Sequence, residues 1–100
     1  MLLISGLIEL AEQDIETMKA AATVMAVETR KEDGCIQYAF YQDIENPCVF
    51  RIFEEWESDD ALKVHFGAPH MATFREALSK ATVVRRALTK YGVADSQPLG

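Results

Sequence analysis

The amino-acid sequence predicts an α+β fold, a four-stranded antiparallel sheet with helices packed on one of its faces. Three observations carry that expectation. Stretches with strand character and stretches with helical periodicity follow one another in the order β-α-β-β-α-α-β. The second and third strands are joined by a short turn, which makes them an antiparallel hairpin. A chain of 100 residues also supports one modest core and not two.

Each element has its own local reason. Met1 to Leu10 is apolar on both alternating faces and reads as the first strand. From Asp14 to about Asp33, Ile15, Met18, Ala22, Met25 and Thr29 recur at steps of three and four, which predicts an amphipathic helix. Gly34 stands where a left-handed C-cap would end it. Cys35–Asp43 and Cys48–Trp56 are strands separated by Ile-Glu-Asn-Pro, a turn signal. Ser58 is a candidate N-cap, and Asp59 and Asp60 follow it where the helix dipole favours negative charge. That short helix ends near Gly67, and Pro69 can occupy the first turn of another that runs to about Lys80. Thr82 to Ala94 is the last strand. Residues 1–95 are expected to form one domain, with 96–100 a loose tail. The ferredoxin-like plan fits this order best.

The strands also predict a partner. Ile36, Tyr38 and Phe40 alternate with Cys35, Ala39 and Tyr41, while Phe50, Ile52 and Trp56 alternate with Val49 and Phe53. Both faces are therefore apolar, yet helices cover only one. The second face is expected to be buried against a second copy in a two-fold homodimer, a dimeric α/β barrel.

Charge and composition narrow the function classes. The net charge of −6 comes without any basic stripe, so nucleic acid and anionic membrane surfaces are poor partners. The N-terminal Met-Leu-Leu-Ile-Ser lacks the basic start of a secretion signal, and no apolar run reaches bilayer length. In the predicted hairpin Cys35 falls opposite Trp56 and Cys48 opposite Asp43, roughly 26 Å apart at the rise of a strand. No disulfide spans that distance, and two free thiols fit a cytoplasmic protein.

The most informative segment is Arg51 to Phe74, RIFEEWESDDALKVHFGAPHMATF. It holds the only Trp and both His of the chain, beside a pair of glutamates. Its pattern of strand, Trp56, acidic helix start, His65 and His70, with Pro69 directly before His70, resembles the antibiotic biosynthesis monooxygenase family. EDGCIQYAFYQD resembles the Gly-Cys second strand of that family, and the likeness covers nearly the whole chain. The resemblance implies a small dimeric ferredoxin-like protein. It also implies a choice of chemistries: oxygenation of anthrones or quinols without metal or flavin, haem degradation, or isomerisation of small phosphorylated compounds. Haem-degrading members carry an Asn in the first strand, where this chain has Ser5 and Gly6. Anthrone-oxygenating members carry an Asn where Ile52 stands here.

Candidate residues follow from position and chemistry. Glu54 and Trp56 share one face of a strand. If helices cover that face, burial raises the Glu54 pKa and suits it to proton transfer; pairing with an Arg or Lys is the alternative. Trp56 either walls a pocket for a flat ring or fills the core. His70, the stronger candidate by resemblance, is expected to take a phenolic proton, with Glu54 the other catalytic residue. His65, Phe50, Ile52 and Met25 are expected to bind substrate. Two histidines five apart do not share a helix face, so no metal site is expected, and no glycine-rich fingerprint implies a bound nucleotide. Arg85 and Arg86 point to opposite faces of the last strand, and one is expected to meet a carboxylate or an acidic ligand. The resulting expectation is a cofactor-independent monooxygenase acting on a quinol or polyphenolic ring with molecular oxygen. The alternatives are a non-oxidative small-molecule isomerase and a dimeric binding module without chemistry.

Overall fold

A computed structural model describes all 100 residues. The elements are β1 (Leu2–Leu10), a 3-10 turn (Glu12–Asp14), α1 (Ile15–Thr29), β2 (Cys35–Gln42), β3 (Val49–Trp56), α2 (Asp59–Phe66), α3 (Pro69–Ser79) and β4 (Val83–Gly92). The strands form one antiparallel sheet in the order β2-β3-β1-β4. This is the ferredoxin-like arrangement, with all three helices on one face.

Register explains which side chains meet the helices. Gly6 pairs with Ile52 and Leu88, Ile4 with Glu54 and Lys90, and Ile8 with Phe50 and Arg86. Tyr38 pairs with Glu54 and Phe40 with Ile52, extending the same rows into β2. Side chains alternate along a strand, so these residues all lie on one face. Gly6 has a definite reason to be glycine: a Cβ there would lie 2.5 Å from the Ala87 carbonyl and 2.6 Å from Leu88 Cγ. The bare backbone lets β4 cross close to β1.

Two apolar clusters hold the helices down. Ile4, Met25, Ala26, Tyr38, Trp56 and Leu62 form the larger, and Leu10, Ile15, Met18 and Phe50 the smaller. α1 buries Ile15, Met18, Met25 and Thr29, four of the five residues that its periodicity marks. Ser58 caps α2, its hydroxyl accepting from the Ala61 amide at 3.2 Å, and Pro69 opens α3. In the hairpin, Asp43 accepts from the Glu45 and Asn46 amides, which closes the Ile-Glu-Asn-Pro turn.

Several local expectations need correction. α1 ends at Thr29, four residues before Asp33, and its C-cap Arg30 is right-handed. Gly34 therefore does not cap the helix. It adopts φ +83° in the turn into β2, where a Cβ would sit 2.6 Å from that of Ala61. An irregularity between Cys35 and Gln37 also changes the faces at the start of β2. Cys35 pairs with Trp56, as the hairpin predicts, but it packs against the Trp56 core while Ile36 is half-exposed. Both cysteines are free thiols.

The helices do not cover the whole sheet. Every residue of β4 is exposed, and that edge stands clear of the helix layer. The opposite face of the sheet carries Leu3, Leu7, Phe53, Tyr41 and Tyr91, with both tyrosines half-exposed. No helix is long and apolar enough to cross a membrane.

Candidate functional site

A cavity of about 740 Å³ lies between the sheet and the helices α2 and α3, towards β4. Twelve of its eighteen lining residues are hydrophobic, including Ile52, Phe66 and Phe74. The polar groups among this lining are few, and three come from deep in the fold: Glu54, His65 and Tyr38.

Glu54 is only 4% exposed and accepts a hydrogen bond from Trp56 Nε1 at 2.8 Å. No Arg or Lys pairs with it. Burial pushes its carboxyl up to about 7, against the opposing effect of the Trp56 hydrogen bond and with a further push from the Glu32 charge. A carboxyl balanced near neutrality can release or accept a proton at little cost. Burial likewise drives the Tyr38 phenol well above its ordinary value, with the Glu54, Cys35 and Glu32 charges adding to the effect. Tyr38 therefore stays protonated and is available as a donor.

His65 is held more tightly. Its ring lies 4.8 Å from that of Trp56 and 5.6 Å from that of Tyr38, and it is 1% exposed. Nδ1 lies 2.7 Å from Glu32 Oε2. A carboxylate only accepts, so Nδ1 carries the proton and Nε2 of the neutral ring keeps its lone pair. Nε2 makes no hydrogen bond within the chain, and the fully shielded, unpartnered polar side-chain atom of this fold is Thr29 Oγ1 instead. His65 thus lines the cavity, with Nδ1 backed by a carboxylate and Nε2 without a partner in the chain.

His70 lies on the other side of that carboxylate. Its Nε2 approaches the same Glu32 oxygen at 2.7 Å, and its side chain is 17% exposed. His70 is not part of the cavity lining. Trp56 and Met25 are also behind the wall, in the core, with 0% and 1% exposure. Ile52 lines the cavity, whereas Phe50 lines separate recesses beside α1. Arg86 lies on the cavity side of β4, while Arg85 on the opposite face pairs with Glu9 at 3.3 Å. Sequence reasoning missed Glu32 and Tyr38. Glu32 stands in the loop after α1, in the Glu-Asp-Gly-Cys run, and nothing local announces that it reaches two histidines 33 and 38 positions away.

The donor atoms of Glu32, His65 and His70 lie within 4.8 Å of one another, so a metal is a fair question. Both nitrogens sit 2.7 Å from one oxygen, a hydrogen-bond distance. Ligands around tetrahedral zinc at its usual bond lengths stand roughly 3.3 Å apart. The group as it stands is a hydrogen-bonded triad that ties the α2–α3 junction to the loop before β2.

The likeness to known proteins extends over the same framework. The family model described as "Antibiotic biosynthesis monooxygenase" matches residues 1–77. An uncharacterized protein of Synechocystis is 29% identical over 98 residues, covering 98% of this chain and 67% of its own length. A Mycobacterium tuberculosis protein named "Putative monooxygenase" is 34% identical over 58 residues, and the match spans 58% of this chain and 56% of that relative. Among solved structures, a "putative antibiotic biosynthesis monooxygenase" of Deinococcus radiodurans superposes with a TM-score of 0.92 at 24% identity, over 100% of this chain and 99% of its own. The structure of the Mycobacterium tuberculosis protein gives 0.87 at 24% identity, over 97% and 98%. With 77 of 100 residues matched by the family model and the fold shared end to end, the chain belongs to the antibiotic biosynthesis monooxygenase family.

Proposed function

We propose that this protein is a cofactor-independent monooxygenase acting on a quinol or polyphenolic ring. The observation that carries the reading is a large apolar cavity into which one oriented imidazole and one near-neutral carboxyl are set. Family membership and the names of its relatives support the same chemistry.

On this reading, His65 Nε2 takes the proton of a ring hydroxyl. Glu32 fixes the ring orientation through Nδ1 and stabilises the imidazolium, while His70 anchors Glu32 from the outer side. The electron-rich phenolate then reacts with molecular oxygen. A ring carbon that carries hydrogen, ortho or para to the phenolate oxygen, forms a bond to oxygen, giving a hydroperoxide. Loss of the ring proton from that carbon and cleavage of the O–O bond yield the quinone carbonyl and water. One oxygen atom enters the ring, the other leaves as water, and all four electrons come from the substrate. Glu54 exchanges protons at the developing peroxide, and Tyr38 donates to a ring oxygen. Trp56 acts from behind, setting the basicity of Glu54. The apolar walls exclude water from the anion.

The working unit is proposed to be a homodimer formed through the open face that carries Phe53, Tyr41 and Tyr91. Oxygen uptake over hydroquinones, naphthalenediols and anthrones, corrected for spontaneous oxidation, tests the activity. Uptake that falls in His65→Gln and in Glu54→Gln supports it. A panel with no enzyme-dependent uptake refutes it.

A further inference from the structure

The charge on the cavity wall is opposite to that of the protein. The chain carries a net charge of −6. Yet the charged side chains around the cavity, apart from Glu54 and His65, are Arg75, Arg86 and Lys90. Burial pushes the Glu54 carboxyl up to about 7, so it is only partly ionised at neutral pH. An acidic protein has thus gathered three cations around one apolar cavity.

Two of those cations are not neutralised. Arg85, the neighbour of Arg86, pairs with Glu9, and Lys90 pairs with Asp59 at 3.0 Å. No ion pair of the chain uses Arg75 or Arg86. Arg75 donates once, from Nη2 to the Phe66 carbonyl at 3.1 Å, which steadies the guanidinium at the α2–α3 side. Arg86 approaches from β4, on the same sheet face as Leu88 and Lys90. A solvated surface arginine is the bland explanation. It does not account for two unpaired guanidiniums on opposite walls of one apolar cavity in a chain with sixteen acidic residues.

The register sets the scale. Glu54 and Lys90 flank Ile4 in one row, so their backbones are two strands, or roughly 10 Å, apart. Arg86 lies four residues further along β4, which puts its backbone roughly 16 Å from that of Glu54. Arg86 and Glu54 therefore occupy opposite ends of the cavity, with Ile52 and Leu88 between them, while Arg75 is anchored next to His65 by the Phe66 carbonyl. Guanidinium forks recognise carboxylate and phosphate in two parallel hydrogen bonds.

We propose that the ring compound taken by this cavity is an acid, a hydroxylated aromatic bearing a carboxylate or phosphate that Arg86 holds at the β4 end. The inference rests on the cavity being the substrate site, and it does not require turnover. Isothermal titration calorimetry under nitrogen tests it with 1,4-dihydroxy-2-naphthoate, its uncharged methyl ester and 1-naphthyl phosphate. The expected result is at least tenfold tighter binding of the acid than of the ester, lost in Arg86→Gln and weakened by salt. The tighter of the carboxylate and phosphate arms identifies the anionic group. Equal affinity for acid and ester overturns the proposal, as does a preference that survives in Arg86→Gln. Oxygen uptake on the acid and the ester separates this from the oxygenase reading. Charge preference without uptake leaves the anion site standing and removes the oxygenase, whereas uptake without charge preference does the reverse.

Discussion

Glu54 couples the candidate site to the stability of the fold, and replacing it with glutamine exposes that coupling. Its carboxyl rises from 4.5 to about 7 on folding, chiefly through burial. A carboxyl with a raised folded pKa favours the native state in its protonated form. Its contribution is fully present below the unfolded value of 4.5 and is lost as pH rises through the folded value near 7. Between those values the native state binds more protons than the unfolded chain, so stability falls with rising pH. The linkage integral gives a loss of about 1 kcal/mol at pH 5 and about 3 kcal/mol at pH 8. Glutamine keeps an oxygen for the Trp56 N–H and never ionises. Glu54→Gln should therefore gain about 2 kcal/mol on wild type between pH 5 and pH 8, whatever its fixed offset. Urea denaturation of both proteins at pH 5, 6, 7 and 8 measures the difference. A difference that stays flat across that range refutes the burial of an ionisable Glu54.

Four further outcomes follow from the same geometry. Trp56→Phe removes a buried hydrogen bond to the ionised carboxylate, so the Glu54 pKa should rise by about 1 to 2 units, read by carbon NMR of a labelled side chain. On the proposed mechanism, His65→Gln should lower kcat by about a hundredfold or more, while His70→Gln, one step removed, should cost less than about tenfold; equal losses would argue against His65 as the cavity base. Gly34→Ala combines a positive φ with a 2.6 Å contact to Ala61 and should destabilise by more than about 1 kcal/mol, whereas Gly67→Ala, whose nearest neighbour is 3.7 Å away, should stay within about 0.5 kcal/mol by the same denaturation assay. Phe53→Asp on the open sheet face should convert the proposed dimer to a monomer in analytical ultracentrifugation without loss of helical circular dichroism.

How much of this was legible in the chain depends on the range of the interactions. Strand alternation is a two-residue property, so the shared face of Glu54 and Trp56 could be read directly, and their hydrogen bond follows from it. The Ser58 cap and the Pro69 start are equally local. The role of Gly34 was misread because a left-handed glycine serves a helix end and a turn equally well, and the helix stopped five residues earlier. The two histidines illustrate the longer range. Treated as one helical segment, they fall on different faces, yet the break at Gly67 puts them on two helices that converge on Glu32 from opposite sides. The cavity itself depends on where the helix layer stops short of β4, which is a property of packing and has no motif.

The two proton-transfer groups respond in opposite ways to an arriving ligand, and this assigns their order in the proposed reaction. A ring that fills the cavity displaces water from Glu54, and further desolvation raises its pKa above 7. The bound complex therefore holds Glu54 protonated, as a donor. His65 meets the same desolvation with a carboxylate already 2.7 Å from Nδ1, so the positive charge it gains from a phenol is partnered as it forms. Water exclusion thus disables Glu54 as the initial base while leaving His65 competent. Glu54 then becomes the natural proton source for the peroxide oxygen that leaves as water. The order has a kinetic signature in the pH profile of kcat. Glu54→Gln should remove the fall in rate above neutral pH, where wild type loses its acid, and Glu32→Gln, which leaves the developing imidazolium without its carboxylate, should lower kcat.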